Sequence, residues 1–272
     1  MYSSWSNAPS PRTSSNRSAT IASAVGHRPA PRPVTTVLDP SSSVTTQQFN
    51  AGNTTHNVTM PATVNSGDLL ILAISFFGSG AITTPSGWSV VCADTAITGT
   101  HHCAVYGLSA AGTEGGTNVN VATASSALGA SHVYRITGWN GSSVANDVVS
   151  GTTATGSGTT PNPPSASWSW GTVDVEALAF SHSVNGSGPT GFPTNYTNGT
   201  ATNGTDGATG SVQTGSARRA MTAATSPENP STFTIGFASW AANTVVVRGT
   251  IDTTAARAMD AYTQAYAALL GY

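Results

Sequence analysis

Lysine does not occur in this 272-residue chain, and all nine basic side chains are arginine. Eleven carboxylates oppose them, and charged residues make up only 7% of the sequence, against about 25% in ordinary globular proteins. Neutralising a phosphate backbone takes a basic patch, and none is present. Nucleic acid is therefore not an expected partner, and a polybasic contact with lipid headgroups fails for the same reason. Long apolar runs are missing too. The longest, Leu69–Phe77, is far short of the ~20 residues that span a bilayer, so no membrane insertion is expected. The start, MYSSWSNAPSPRTSSNR, has no apolar segment of the kind a secretion signal uses. Folding in a cytoplasm is the expectation, and there a disulfide does not persist.

Catalytic patterns are also absent. The carboxylates are scattered, with no acid pair of the sort glycoside cleavage needs. There is no Gly-X-Ser-X-Gly elbow, phosphate loop or His-Glu-X-X-His. Asp68, after Ser66-Gly67, is expected to accept backbone hydrogen bonds in a turn. His132, inside ASHVYRITG, is expected to be structural. The chain reads as a non-enzyme without a cofactor or a metal.

Two cysteines are present, Cys92 and Cys103, in CADTAITGTHHC. The flanks, Trp88–Val91 and Ala104–Leu108, are rich in β-branched and aromatic residues, which predicts a hairpin. If it folds about Ile97-Thr98, the two sulfurs face each other, with Cβ atoms roughly 4.5–5.5 Å apart. A disulfide and a pair of free, buried thiols both fit that geometry. With His101 on the same face the set reaches only three metal ligands, where a structural zinc site closes with four.

What the chain does have is strand after strand. Period-two runs separated by Gly, Asn, Ser and Thr predict strands at 54–60, 69–77, 88–93, 103–109, 118–124 and 130–137. After a Gly/Thr/Pro-rich connection they continue at 166–170, 173–182, 218–224, 232–237 and 243–248. The series also repeats. SGDLLILAISFF is answered by TVDVEALAFSHS, with Asp68 against Asp174, and PSGWSVV by FPTNYTN. CAVYGLS is answered by RRAMTAA, and HVYRITG by TVVVRGT. Two such units interleaving would give a two-sheet sandwich with Greek-key connections. The expectation is all-β, a jelly-roll sandwich over 35–250.

Residues 1–34 are Ser/Pro/Arg-rich, and alone such a segment cannot bury enough apolar surface to offset its ordering entropy. An extended arm lying on a neighbouring subunit, or folded back on its own domain, is expected. Only residues 251–272 change period. Ala255, Met259, Tyr262, Tyr266 and Leu269 take helical spacing, predicting a short amphipathic helix that packs on its own sandwich, joins copies in a homo-oligomer or anchors the chain in a host particle.

The aromatics beside predicted loops draw attention because ring faces stack on sugars. Trp139 in ITGWNGSS, with Asn140 next to it, follows a strand end, and Tyr196 lies in FPTNYTN. These three are the candidate carbohydrate contacts. Trp88 and Trp240 are expected in the core, and Trp168 and Trp170 on one buried strand face.

The run VNSGDLLILAISFF…TPSGW (64–88), then CAVYGLSAAGTEGG and the closing SWAANTVVVRG, resembles a recurrent β-jelly-roll, lectin-like sandwich domain. That family occurs in tailed-phage virion proteins, gene-transfer-agent particles and some bacterial surface proteins. The resemblance spans about 35–250. It implies a decoration, spike or fibre protein on a phage-like particle, assembled in the host cytoplasm beside other virion proteins and extracellular after release. It also implies contact with host surface glycan. A bacterial extracellular carbohydrate-binding module is the alternative. An isolated monomer bearing an aromatic platform would favour it.

Overall fold

In β2 (Leu69–Phe77), the sequence LLILAISFF buries every residue but the last. A strand apolar on both faces must lie inside a sheet that is covered on both sides. The computed structural model shows how this is met. It describes residues 43–250, apart from 79, 185–187 and 206–209, together with residue 264. The expected arm (1–34) and the tail residues Met259, Tyr262, Tyr266 and Leu269 lie outside the described residues.

Two antiparallel sheets form the molecule. The first has the order β1-β5-β2-β4-β3, from β1 (Val44–Thr59), β2, β3 (Ser89–Thr98), β4 (His101–Ser109) and β5 (Asn118–Ile136). The second has the order β6-β11-β8-β10-β9. It comprises β6 (Val148–Ser150), β8 (Val173–Val184), β9 (Thr197–Thr205), β10 (Ser211–Ala224) and β11 (Ala238–Arg248), with β7 (Ala154–Gly158) also pairing β11. A single helical turn, α1 (Val144–Asp147), joins the two halves.

The two sheets are one pattern used twice. β2, β3, β4 and β5 correspond in order to β8, β9, β10 and β11, and β1 corresponds to β6 and β7 together. The register agrees as well. Leu69, after Asp68, pairs with Ile136 and Ser109, while Val175, after Asp174, pairs with Arg248 and Met221. The turns match in detail. The Trp88 N–H donates to the Pro85 carbonyl at 3.1 Å and the Tyr196 N–H to the Pro193 carbonyl at 3.1 Å. The third residue of each turn, Gly87 and Asn195, has positive φ (83° and 67°), as a type II turn requires. The units do not interleave, which corrects the Greek-key expectation. Each keeps its strands in its own sheet, because its doubly buried central strand takes both neighbours from its own half. One repeat alignment also shifts: Cys103–Ser109 occupies the place of Gly215–Met221, not of Arg218–Ala224.

Three apolar layers follow. Between the sheets, Leu69, Ile71, Tyr134 and Ile136 meet Leu178, Phe180, Val245 and Val247. Outside the first sheet, Leu70, Leu72, Ile74 and Val133 lie under Met60, Val64, Ile82 and Trp88. Outside the second, Val175, Ala177 and Val246 lie under Ala166, Trp168 and Tyr196. Each buried Leu, Ile or Phe contributes about 1.5–3 kcal/mol, and the two outer layers explain why the central strands β2 and β8 are buried on both faces.

Candidate binding site

The predicted sugar contacts are not gathered in one place. Trp139 is only 4% exposed and belongs to the layer between the sheets. Its Nε1–H donates to the Gly67 carbonyl at 2.7 Å. The expectation of an exposed ring is thereby corrected: β5 ends at Ile136, and Gly138, at φ 67°, turns the chain inward. Asn140 donates its side-chain amide to Asp147 Oδ1 at 2.9 Å. Asp147 is fully buried and also accepts from the Ser142 amide and hydroxyl and from Arg248. Burial alone would raise the Asp147 pKa, but the hydrogen bonds from Ser142, Asn140 and Ser143 outweigh it and hold the carboxyl below its usual range. Tyr196 lies in a different layer, on the outer face of the second sheet, and its hydroxyl donates to Glu228 at 3.0 Å. The Trp168 and Trp170 rings stack, with centroids 6.0 Å apart, on a connecting segment rather than on the predicted strand. Their indole N–H groups donate to the carbonyls of Gly171 and Asn146.

The hairpin exists, but its register differs from the sequence reading. Cys92 lies opposite Val105, and Cys103 opposite Thr95. Three irregularities in β3, between Val90 and Cys92, Cys92 and Thr95, and Ala96 and Thr98, displace the pairing. Both thiols are free and buried. Burial pushes the Cys92 pKa up to about 12 and raises that of Cys103. His101 takes Thr98 and Thr100 as partners, and His102 pairs with Asp94 at 2.9 Å. No metal-binding cluster of three occurs among the described residues.

A polar row bridges the sheets. His132 lies between Ser216 Oγ at 2.7 Å and Thr202 Oγ1 at 3.0 Å, and the Tyr134 hydroxyl meets Ser216 at 2.7 Å. Ser75 meets Thr214 at 2.7 Å. Burial lowers the pKa of His132 and of His182 to about 3, so both imidazoles are neutral. Ser216 and His132 are fully enclosed, and no substrate reaches that serine. Nothing in the sequence announced Ser216 or Thr202 as partners of His132.

Every described carboxylate and guanidinium is engaged within the chain. Asp68 pairs with Arg135, Glu176 with Arg218, Glu228 with Arg219, Asp147 with Arg248 and Asp94 with His102. Glu114 accepts from the amides of Ala111 and Gly112, and Asp174 from that of Ala223. Between these paired ions the described surface offers hydroxyl, amide and backbone, and its only exposed large apolar residues are Val90 and Phe237.

One seam of the sandwich opens into a groove of about 370 Å³ between β3 and the break from β6 to β7. Val91, Cys92 and Thr95 line one wall, and Ser150, Thr152 and Thr153 the other. The walls are tied together where the Ser150 hydroxyl donates to the Val91 carbonyl at 2.8 Å. The lining holds no carboxylate, imidazole or cation, so it can form hydrogen bonds but cannot exchange protons at neutral pH. No pattern in the sequence marks it, since GTTATGSG reads as a linker. The chain matches no family model, no curated protein and no solved structure.

Proposed function

We propose that this chain is a non-enzymatic structural and adhesion protein of a phage-like particle. It is displayed on the head or tail, as a decoration, spike or fibre, and touches neutral glycan of the host envelope. The observation that carries the reading is that every described charge has a partner within the chain. A surface of hydroxyls and amides pairs with sugar hydroxyls, and among the described residues no unpaired cation is offered to phosphate or sulfate. The resemblance carried by 64–88, CAVYGLSAAGTEGG and SWAANTVVVRG supports the particle reading. In this reading residues 1–34 and the tail bearing Met259, Tyr262, Tyr266 and Leu269 anchor the chain to other virion proteins or to further copies of itself. Deleting residues 1–34 is the test. The sandwich should stay folded while incorporation into particles is lost. Incorporation at the undeleted level would refute the anchoring role, and the absence of the full chain from purified particles would refute the particle reading.

A further inference from the structure

We propose that the groove between β3 and the β6–β7 break is a site for one neutral sugar unit, an inference that rests on the glycan reading above. The repeat supplies the first argument. It makes the two lateral seams of the sandwich counterparts, β1 beside β9 on one side and β6–β7 beside β3 on the other. The first seam is shut. A Cβ placed on Gly204 of β9 would collide with the carbonyl of Gly129 in β5, the strand beside β1, and the Thr205 amide of β9 donates to Asn50 Oδ1 of β1 at 3.1 Å. The second is built from the corresponding strands but holds the groove, which lies beside the irregularities of β3 and the gap between β6 and β7.

The second argument is chemical. Thr95 donates its hydroxyl proton to the Ala93 carbonyl at 3.0 Å, and Ser150 donates to Val91, leaving both oxygens as acceptors. Thr153 Oγ1 accepts from the Asn243 amide at 2.7 Å, which leaves its proton to donate. A wall with acceptors and a donor, and with no charge, suits a group that gives and takes at once, as a sugar hydroxyl does. A bare carboxylate or phosphate would be desolvated there without a cation. The volume lies at the small end of the ~300–1,000 Å³ range of ligand sites, enough for one ring with its neighbours in solvent. The Cys92 thiol at the floor stays protonated and takes no chemical part.

The test titrates the full chain with glucose, galactose, mannose, N-acetylglucosamine and glucuronate at millimolar concentration, following amide shifts. A neutral sugar should move Ala93, Thr95 and the 151–153 amides, and glucuronate should bind at least several-fold more weakly. Thr152→Trp, at an exposed position, fills the groove and should reduce the affinity at least tenfold with melting unchanged. Thr95→Val, nearly isosteric, should weaken it several-fold. No shift with any neutral sugar, or shifts confined to other surfaces, overturns the site. Glycan capture by particles that is unchanged in Thr152→Trp overturns the groove and leaves the particle reading standing. Groove shifts without particle capture uphold the groove and overturn host attachment.

Discussion

Trp139 and the two cysteines show how burial decides what a reactive or sticky side chain does. The Trp139 indole fills the layer between the sheets and donates to Gly67, so Trp139→Ala should destabilise the fold by about 3–5 kcal/mol, read by urea unfolding. Any loss of ligand binding in that variant would follow from the fold. Cys92, with its pKa near 12, and Cys103, raised further by burial, carry almost no thiolate at pH 8. A thiol reagent should leave the native chain unmodified at that pH and label both cysteines in denaturant; rapid native labelling would contradict the burial. At this scale the sequence was legible for types and not for directions. Asp68 does accept hydrogen bonds in its turn, from the Asn65 amide at 2.6 Å. His132 is fully buried, held between Ser216 and Thr202. The inward path of Trp139 depends on the bend at Gly138 and the bridge to Gly249, a contact more than a hundred positions away.

Elements were legible where apolar burial made them and illegible where pairing made them. β2 is read to the residue because its doubly buried strand shows as a run of Leu, Ile and Ala, and β8 and β4 nearly so from their shorter apolar stretches ALAF and CAVY. β9, TNGTATNGT, has no apolar alternation and is a strand only because β10 pairs with it. The same holds for β6 and β7 against β11. The predicted strands at 118–124 and 130–137 are one strand, β5, kept continuous by its long partner β1. The predicted strand at 232–237 contributes only a bridge at Thr234. The sheet contact at Gly204 gives this scale its prediction. A methyl there meets the Gly129 backbone, so Gly204→Ala should lower stability by about 1–3 kcal/mol. Gly99→Ala, in the β3–β4 turn with open space around it, is the control and should change little. Equal effects at both positions would mean that the shut seam is not shut.

At the scale of the whole molecule, buried ionisable groups set the response to pH. Burial lowers the pKa of His132 and His182 to about 3 and that of His56 to about 4, against about 6.5 in the unfolded chain. The unfolded state therefore binds more protons as the pH drops. The stability held above pH 6.5 is lost progressively as the pH falls below it, by about 1.4 kcal/mol per histidine per pH unit. Glu176, pushed up to about 7 by burial with Arg218 pulling it down, works in the opposite sense, losing stability as the pH rises from its ordinary value through 7. Three imidazoles outweigh one carboxyl. The melting temperature should be highest near neutrality and fall steeply between pH 6.5 and 4.5, and a flat profile would contradict the burial of the polar row. The same distribution of charge, with every described ion paired within the chain, underlies the reading of neutral recognition. Single-site affinity should be weak because a shallow groove buries little surface, and repetition over a particle should raise it. The most direct measurement is capture of assembled particles on immobilised host-envelope glycan at low and at high salt. Exposed ion pairs are screened within about 10 Å at 0.1 M salt, so recognition by hydroxyls and amides predicts capture that changes less than about twofold between the two conditions. No capture, or capture that disappears at moderate salt, would contradict the account.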